Sequence, residues 1–231
     1  MKVLRIVTIV ALVAAGPAFA DQAFEDVSAG SGHVAPDPNA PLWDAPDAIL
    51  YDNGPLVTHP SGGSGGADAS ALQTAAGMGL YGFGFQSTVP NRMVDEFTIT
   101  DPGGWQVDTI TFFGYQTGST TTSTFTDIYV QIWDAAPNAG GAVVWGDYVT
   151  NRLASSSWTN IYRVLDTDLT ASNRPIMAIV ATVNNLFAPG TYWIEYMAAG
   201  PGASGPWAPP ISILGTTATG NALQYTASAG A

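Results

Sequence analysis

The chain has 231 residues, 18 of them acidic and six basic, for a net charge of −12; it has no cysteine, and 46% of its residues are hydrophobic. The acidity excludes a binder of the nucleic-acid backbone, which needs a basic stripe, and the lack of cysteine excludes a disulfide scaffold. The apolar content is too high for a disordered chain, and the length suits one domain with a real core.

Lys2 and Arg5 open the chain, followed by an apolar run from Ile6 to Ala15, a Gly16-Pro17 break and Ala18-Phe19-Ala20. This is the order of a secretory signal peptide, so residues 1–20 are expected to be removed after Ala20. The run is too short for a membrane span, which needs about 20 apolar residues. Removal takes Lys2 and Arg5 and no acid, leaving Arg92, Arg152, Arg163 and Arg174, no lysine, and a net charge of −14. The expected location is extracellular or periplasmic, with no membrane span after signal removal. Such a surface repels nucleic acid and anionic lipid and attracts divalent cations. The tail from Thr226 to Ala231 is small and polar, as expected of a released protein.

Residues 21–47, rich in Asp, Pro, Gly and Ala, read as an N-terminal arm over the domain, and residues 48–231 as the β domain. Ile49–Tyr51 reads as a short edge strand. Ser61–Gly66 has flexible-loop composition, and the Ala/Gly-rich stretch 67–84 is ambiguous. From Arg92 onward, strand-like runs recur at 93–100, 105–115, 125–133, 142–147, 160–165, 175–183, 190–197 and 222–226. Turn chemistry at Asp101-Pro102-Gly103-Gly104, 137–141 and Ala188-Pro189-Gly190 separates several of them. Helical spacing and internal repeats are both missing from the body. Thr117–Thr124 reads as a hairpin loop between two strong strands.

Alternation assigns faces. Ile128, Val130 and Ile132 share one side of their strand, with Asp127, Tyr129, Gln131 and Trp133 on the other. Tyr192, Ile194 and Tyr196 lie opposite Thr191, Trp193 and Glu195. Met93, Asp95, Phe97 and Ile99 lie together. Residues 175–183 are apolar on both sides and read as a central, doubly covered strand. Two sheets packed face to face satisfy these patterns, so the expected fold is all-β, a two-sheet jelly-roll-like sandwich of about eight strands.

The stretch Val94-Asp95-Glu96-Phe97-Thr98-Ile99, the run Ile110 to Thr121, Val144-Trp145-Gly146-Asp147, Asn160-Ile161-Tyr162-Arg163, Arg174-Pro175-Ile176-Met177, Gly190-Thr191-Tyr192-Trp193 and Gly205-Pro206-Trp207-Ala208-Pro209-Pro210 resemble an uncharacterised β-sandwich module of secreted bacterial proteins. The resemblance covers roughly residues 50–226. It implies a secreted β-sandwich and carries over no catalytic or binding residue.

Several chemistries are open to these residues. A Ser-His-Asp triad would have to draw its base from His33 or His59, both in the loop-rich first third, and no G-x-S-x-G motif is present. A glycosidase needs two carboxylates flanking the sugar; Asp95, Glu96, Asp127, Asp134, Asp147 and Glu195 are available, without a closely spaced acid triplet on any strand. Calcium, a hard cation held by oxygen, is the cofactor to consider, with Asp166 and Asp168 as its ligands and Asp101 as a further site. The competing reading has these aspartates capping turn amides. Arg163 and Arg174 are expected to tie strands or loops to aspartates.

Tyr129, Gln131, Trp133, Trp193 and Glu195 form the proposed ligand-binding face, because pyranose C–H groups stack on indole rings while polar neighbours fix hydroxyls. The competing reading buries both tryptophans in a second hydrophobic layer. The expected function is a secreted non-catalytic module for extracellular binding or matrix association, with carbohydrate the first ligand class. A hydrolase using paired carboxylates and a structural envelope or matrix protein are the alternatives.

Overall fold

The computed structural model describes residues 3–6, 23–46, 48–202, 204–217 and 220–226. Most of the apolar leader, the expected cleavage site and the last five residues lie outside the described residues. The fold is all-β: among the described residues the helical pieces are 3-10 turns of three residues each.

In chain order the strands are β1 (Val3–Ile6), β2 (Phe24–Asp26), β3 (Ile49–Asp52), β4 (Asp68–Leu72), β5 (Leu80–Gly84), β6 (Arg92–Ile99) and β7 (Trp105–Gly114). They continue as β8 (Asp127–Trp133), β9 (Val143–Asp147), β10 (Leu153–Leu165), β11 (Pro175–Phe187), β12 (Gly190–Ala199), β13 (Trp207–Ala208) and β14 (Leu223–Tyr225). A six-stranded sheet has the order β3-β1-β7-β11-β10-β4, in which β1 belongs to the leader expected to be removed, a five-stranded sheet has the order β14-β6-β12-β8-β9, and a small sheet β13-β5-β2. The eight runs read from the body sequence are all strands. The described strands exceed the expected eight because short ones in the first third and near the end add to them.

The two larger sheets share one apolar core. Ile110 and Phe112 of β7 and Ile179 and Ala181 of β11 meet Phe97 of β6, Ile128, Val130 and Ile132 of β8, and Ile194 and Tyr196 of β12. Fully burying a side chain of this kind contributes about 1.5–3 kcal/mol, so the alternation along these strands fixes which face turns inward. β11 lies between β7 and β10 and is covered on its second face too. There Ile176 and Ala178 join Phe113, Tyr115, Tyr81, Trp207 and Leu56 in a second apolar layer.

The N-terminal arm is built into this second layer. Glu25, 3% exposed, accepts hydrogen bonds from Arg174 at 2.9–3.1 Å, from the Tyr115 hydroxyl at 2.8 Å and from Thr117 Oγ1 at 2.5 Å. The Arg174 guanidinium also lies 3.7 Å from the Tyr81 ring centroid and donates to the Gly30 carbonyl. Arg174 therefore joins the arm through a glutamate rather than an aspartate. Arg163 departs further from expectation. It is fully buried, and its donors go to the carbonyls of Tyr81, Ser70 and Leu80 and to the hydroxyls of Ser70 and Ser212, with no carboxylate among them. Burial pushes its pKa down to about 10, and the ring of neutral acceptors holds the charge in place.

The Thr/Ser tract is not a hairpin. It connects β7 of one large sheet to β8 of the other, and it docks the arm. The buried Thr121 hydroxyl accepts from the Asp37 amide at 2.9 Å and donates to the Asp37 carbonyl at 3.1 Å.

Candidate functional site

The five-stranded sheet turns its second face away from the shared core. β8 and β12 pair antiparallel there, placing Trp193 opposite Trp133, Glu195 opposite Gln131 and Met197 opposite Tyr129. All five residues of the proposed face are therefore on one surface of two neighbouring strands. The inward alternates Ile128, Val130, Ile132, Ile194 and Tyr196 are buried, whereas Tyr129, Gln131, Trp133 and Trp193 are partly exposed. Neither tryptophan is sealed under a second hydrophobic layer.

The Trp133 ring is partly exposed, yet its Nε1 is buried and has no hydrogen-bond partner. An indole N–H is a donor only, and a buried donor without an acceptor destabilises the protein by about 1–3 kcal/mol. An incoming acceptor would recover part of that.

Glu195 is only 2% exposed. Arg92 of β6 closes over it, with Nε 2.6 Å from Glu195 Oε1. The Arg92 guanidinium in turn lies 3.7 Å from the Tyr225 ring centroid and 5.1 Å from that of Tyr148. Burial, reinforced by the Glu195 carboxylate, holds the Tyr148 hydroxyl far above the ordinary tyrosine range, so it stays protonated. The tryptophan pair is thus edged by a rigid Glu-Arg-Tyr group. Arg92 shares the face of Glu96 by alternation along β6, a signal present in the sequence. Tyr148 follows the end of β9 and carries no such signal.

Of the acids offered for paired-carboxylate chemistry, Glu96 and Glu195 share the outer face on neighbouring strands, Glu96 opposite Trp193 and accepting from Asn221 Nδ2 at 2.9 Å, while the others are dispersed. Asp95 points to the core side of β6, where it is 1% exposed and accepts from Asn53 Nδ2 at 2.6 Å and from the Glu96 amide at 2.9 Å. Asp147 pairs with Arg152 at 3.3 Å and caps the Val149 and Thr150 amides. Asp127 accepts from Asn151, and Asp134 from the Ala142 amide.

Asp166 and Asp168 lie elsewhere, beyond the end of β10. Asp166 accepts from Thr74 Oγ1 at 2.6 Å and from the Ala75 amide at 3.0 Å, capping a one-turn helix; Asp168 accepts from Thr170 Oγ1 at 3.2 Å. Asp101 accepts from the Gly103 amide at 2.9 Å in its turn. Among the described residues no group of three His, Cys, Asp or Glu side chains is arranged to hold a metal ion. These contacts are those of aspartates capping turns.

His59 is fixed by backbone pairing with Ala69, and one ring nitrogen lies 2.9 Å from Thr58 Oγ1. It lines a cavity of about 360 Å³ with Asp166 and Gln73. The Thr58 hydroxyl also donates to the Ala69 carbonyl and accepts from the Ala71 amide, so it is committed to the backbone.

Compared with known protein families, with curated proteins and with solved structures, the chain finds no match.

Proposed function

We propose that the protein is a secreted, non-catalytic binding module, its two large sheets forming a jelly-roll-like sandwich, and that carbohydrate binds on the outer face of the five-stranded sheet. The observation that carries this reading is the Trp133–Trp193 cross-strand pair, partly exposed, with the Trp133 N–H lacking an acceptor. Indole faces stack on the C–H side of a pyranose, and a sugar hydroxyl oxygen supplies the missing acceptor. Gln131 offers a further donor and acceptor beside the pair. The net charge of −14 left after signal removal favours neutral over acidic glycans. Two features support binding over paired-carboxylate hydrolysis: Arg92 engages Glu195, and Asp95 faces the opposite side of the same sheet.

A glycan array with the purified protein, followed by tryptophan quenching, tests this reading. Trp133→Ala and Trp193→Ala should each weaken binding about tenfold or more, equivalent to about 1.4 kcal/mol, with little change in melting temperature. Silence across the array, or wild-type affinity in both variants, would remove the proposal.

A further inference from the structure

A second cavity lies on the far side of the molecule from the tryptophan pair. The arm runs beside β10, where Leu42 bridges Trp158 and the Trp43 amide donates to the Trp158 carbonyl at 2.7 Å. Residues 43–46 line one side of a cavity of about 530 Å³ against the six-stranded sheet. That volume lies within the range of small-molecule sites, about 300–1,000 Å³.

Register explains its floor. Ile110 and Phe112 of β7 point into the shared core, so Thr109 and Thr111 point the other way. Thr111 is opposite Val180 of β11, and Val180 is opposite Ser155 of β10, which sets hydroxyl-bearing residues of β7 and β10 on either side of the apolar Val180. Thr109, Thr111, Ser155 and Ser157 line the cavity with Trp43 and Asp44. In the full chain, where β1 of the leader pairs beside it, Thr109 is 7% exposed and its Oγ1 is buried without a hydrogen-bond partner. A hydroxyl in that state is destabilising unless something fills the cavity and bonds to it.

We infer that this cavity binds a small neutral saccharide, a mono- or disaccharide, with the Thr109 hydroxyl as a direct contact. The lining combines groups that both donate and accept, an indole and one carboxylate, the set that suits a polyol with an apolar C–H face. Asp44 is the one charged residue in the lining, and its sign disfavours phosphates and carboxylates. The site shares no residue with the aromatic face and stands whether or not that face binds glycan.

Titration calorimetry and tryptophan fluorescence with glucose, galactose, mannose, N-acetylglucosamine, cellobiose and maltose test it. At least one of these should bind. Thr109→Val should melt at or above the wild-type temperature, since it removes an unpaired buried hydroxyl, and should weaken that binding about tenfold. Thr109→Ser, which keeps the hydroxyl, should retain it. A Trp133→Ala/Trp193→Ala double variant should titrate as wild type, separating this cavity from the aromatic face. No binding across the panel, wild-type affinity in a folded Thr109→Val protein, or loss of binding in the double variant would overturn the inference.

Discussion

Asp95 gives the fold a pH dependence of definite sign. Burial on the core side of β6 raises its pKa from the ordinary 3.8 to about 6, against the opposing pull of the Asn53 and Glu96 hydrogen bonds. The folded protein therefore holds this proton more tightly than the unfolded chain. The contribution is fully present below about pH 4 and is lost as pH rises through about 6. A shift of that size corresponds to about 3 kcal/mol between the two limits. Asp95→Asn cannot ionise and serves as the baseline, because the other titrating groups are common to both proteins. Urea unfolding followed by tryptophan fluorescence at a series of pH values gives the difference in stability directly. The wild type should lose about 3 kcal/mol relative to Asp95→Asn from below pH 4 to above pH 6. A difference that stays flat with pH would refute the reasoning. So would a wild type that gains on the variant as pH rises, which would mean that the two hydrogen bonds outweigh burial.

Glu25→Ala should destabilise the protein by about 3–5 kcal/mol in chemical denaturation, because it strands the buried Arg174 charge and the Tyr115 hydroxyl. Asp166→Ala should lose about 1 kcal/mol, the worth of a helix cap, and by the same amount in calcium and in chelator. A calcium-dependent rise in melting temperature that disappears in Asp166→Ala would instead give Asp166 the role of a metal ligand.

The body strands were legible because β-branched and aromatic residues alternate in them, and alternation reports a sheet with one face in the core. β4 and β5 were hidden in the ambiguous stretch 67–84 for a steric reason. A Cβ at Gly82 would lie 2.6 Å from the Tyr115 hydroxyl and 2.9 Å from the Ala208 carbonyl, so the layer over β5 packs too closely for a side chain there. Small residues in that stretch report close packing, while their composition resembles a loop. The same holds at Gly63, where a Cβ would meet the Ala67 carbonyl at 2.9 Å, within a segment that reads as flexible linker. β10 begins seven residues before its expected start because Leu153–Trp158 is poor in β-formers and the ladder is interrupted before Ile161, with Asn160 at φ 62°.

The candidate site divides along the same line. Period-two reading placed Tyr129, Gln131, Trp133, Trp193 and Glu195 on common faces because each set lies within one strand, and strand pairing then joined the two sets. What that reading could not supply was the partner of each polar group. Glu195 is buried by Arg92, 103 residues away in sequence, and Glu25 by Arg174 at a separation of 149. Thr109 lines a cavity together with arm residues 43–46, and its Oγ1 has no hydrogen-bond partner there. Local pattern decides which way a side chain points. Whether its polar atoms are satisfied depends on chain segments brought together by topology, and Trp133 Nε1 and Thr109 Oγ1, two of the buried polar atoms left without a partner among the described residues, lie where a ligand has something to gain.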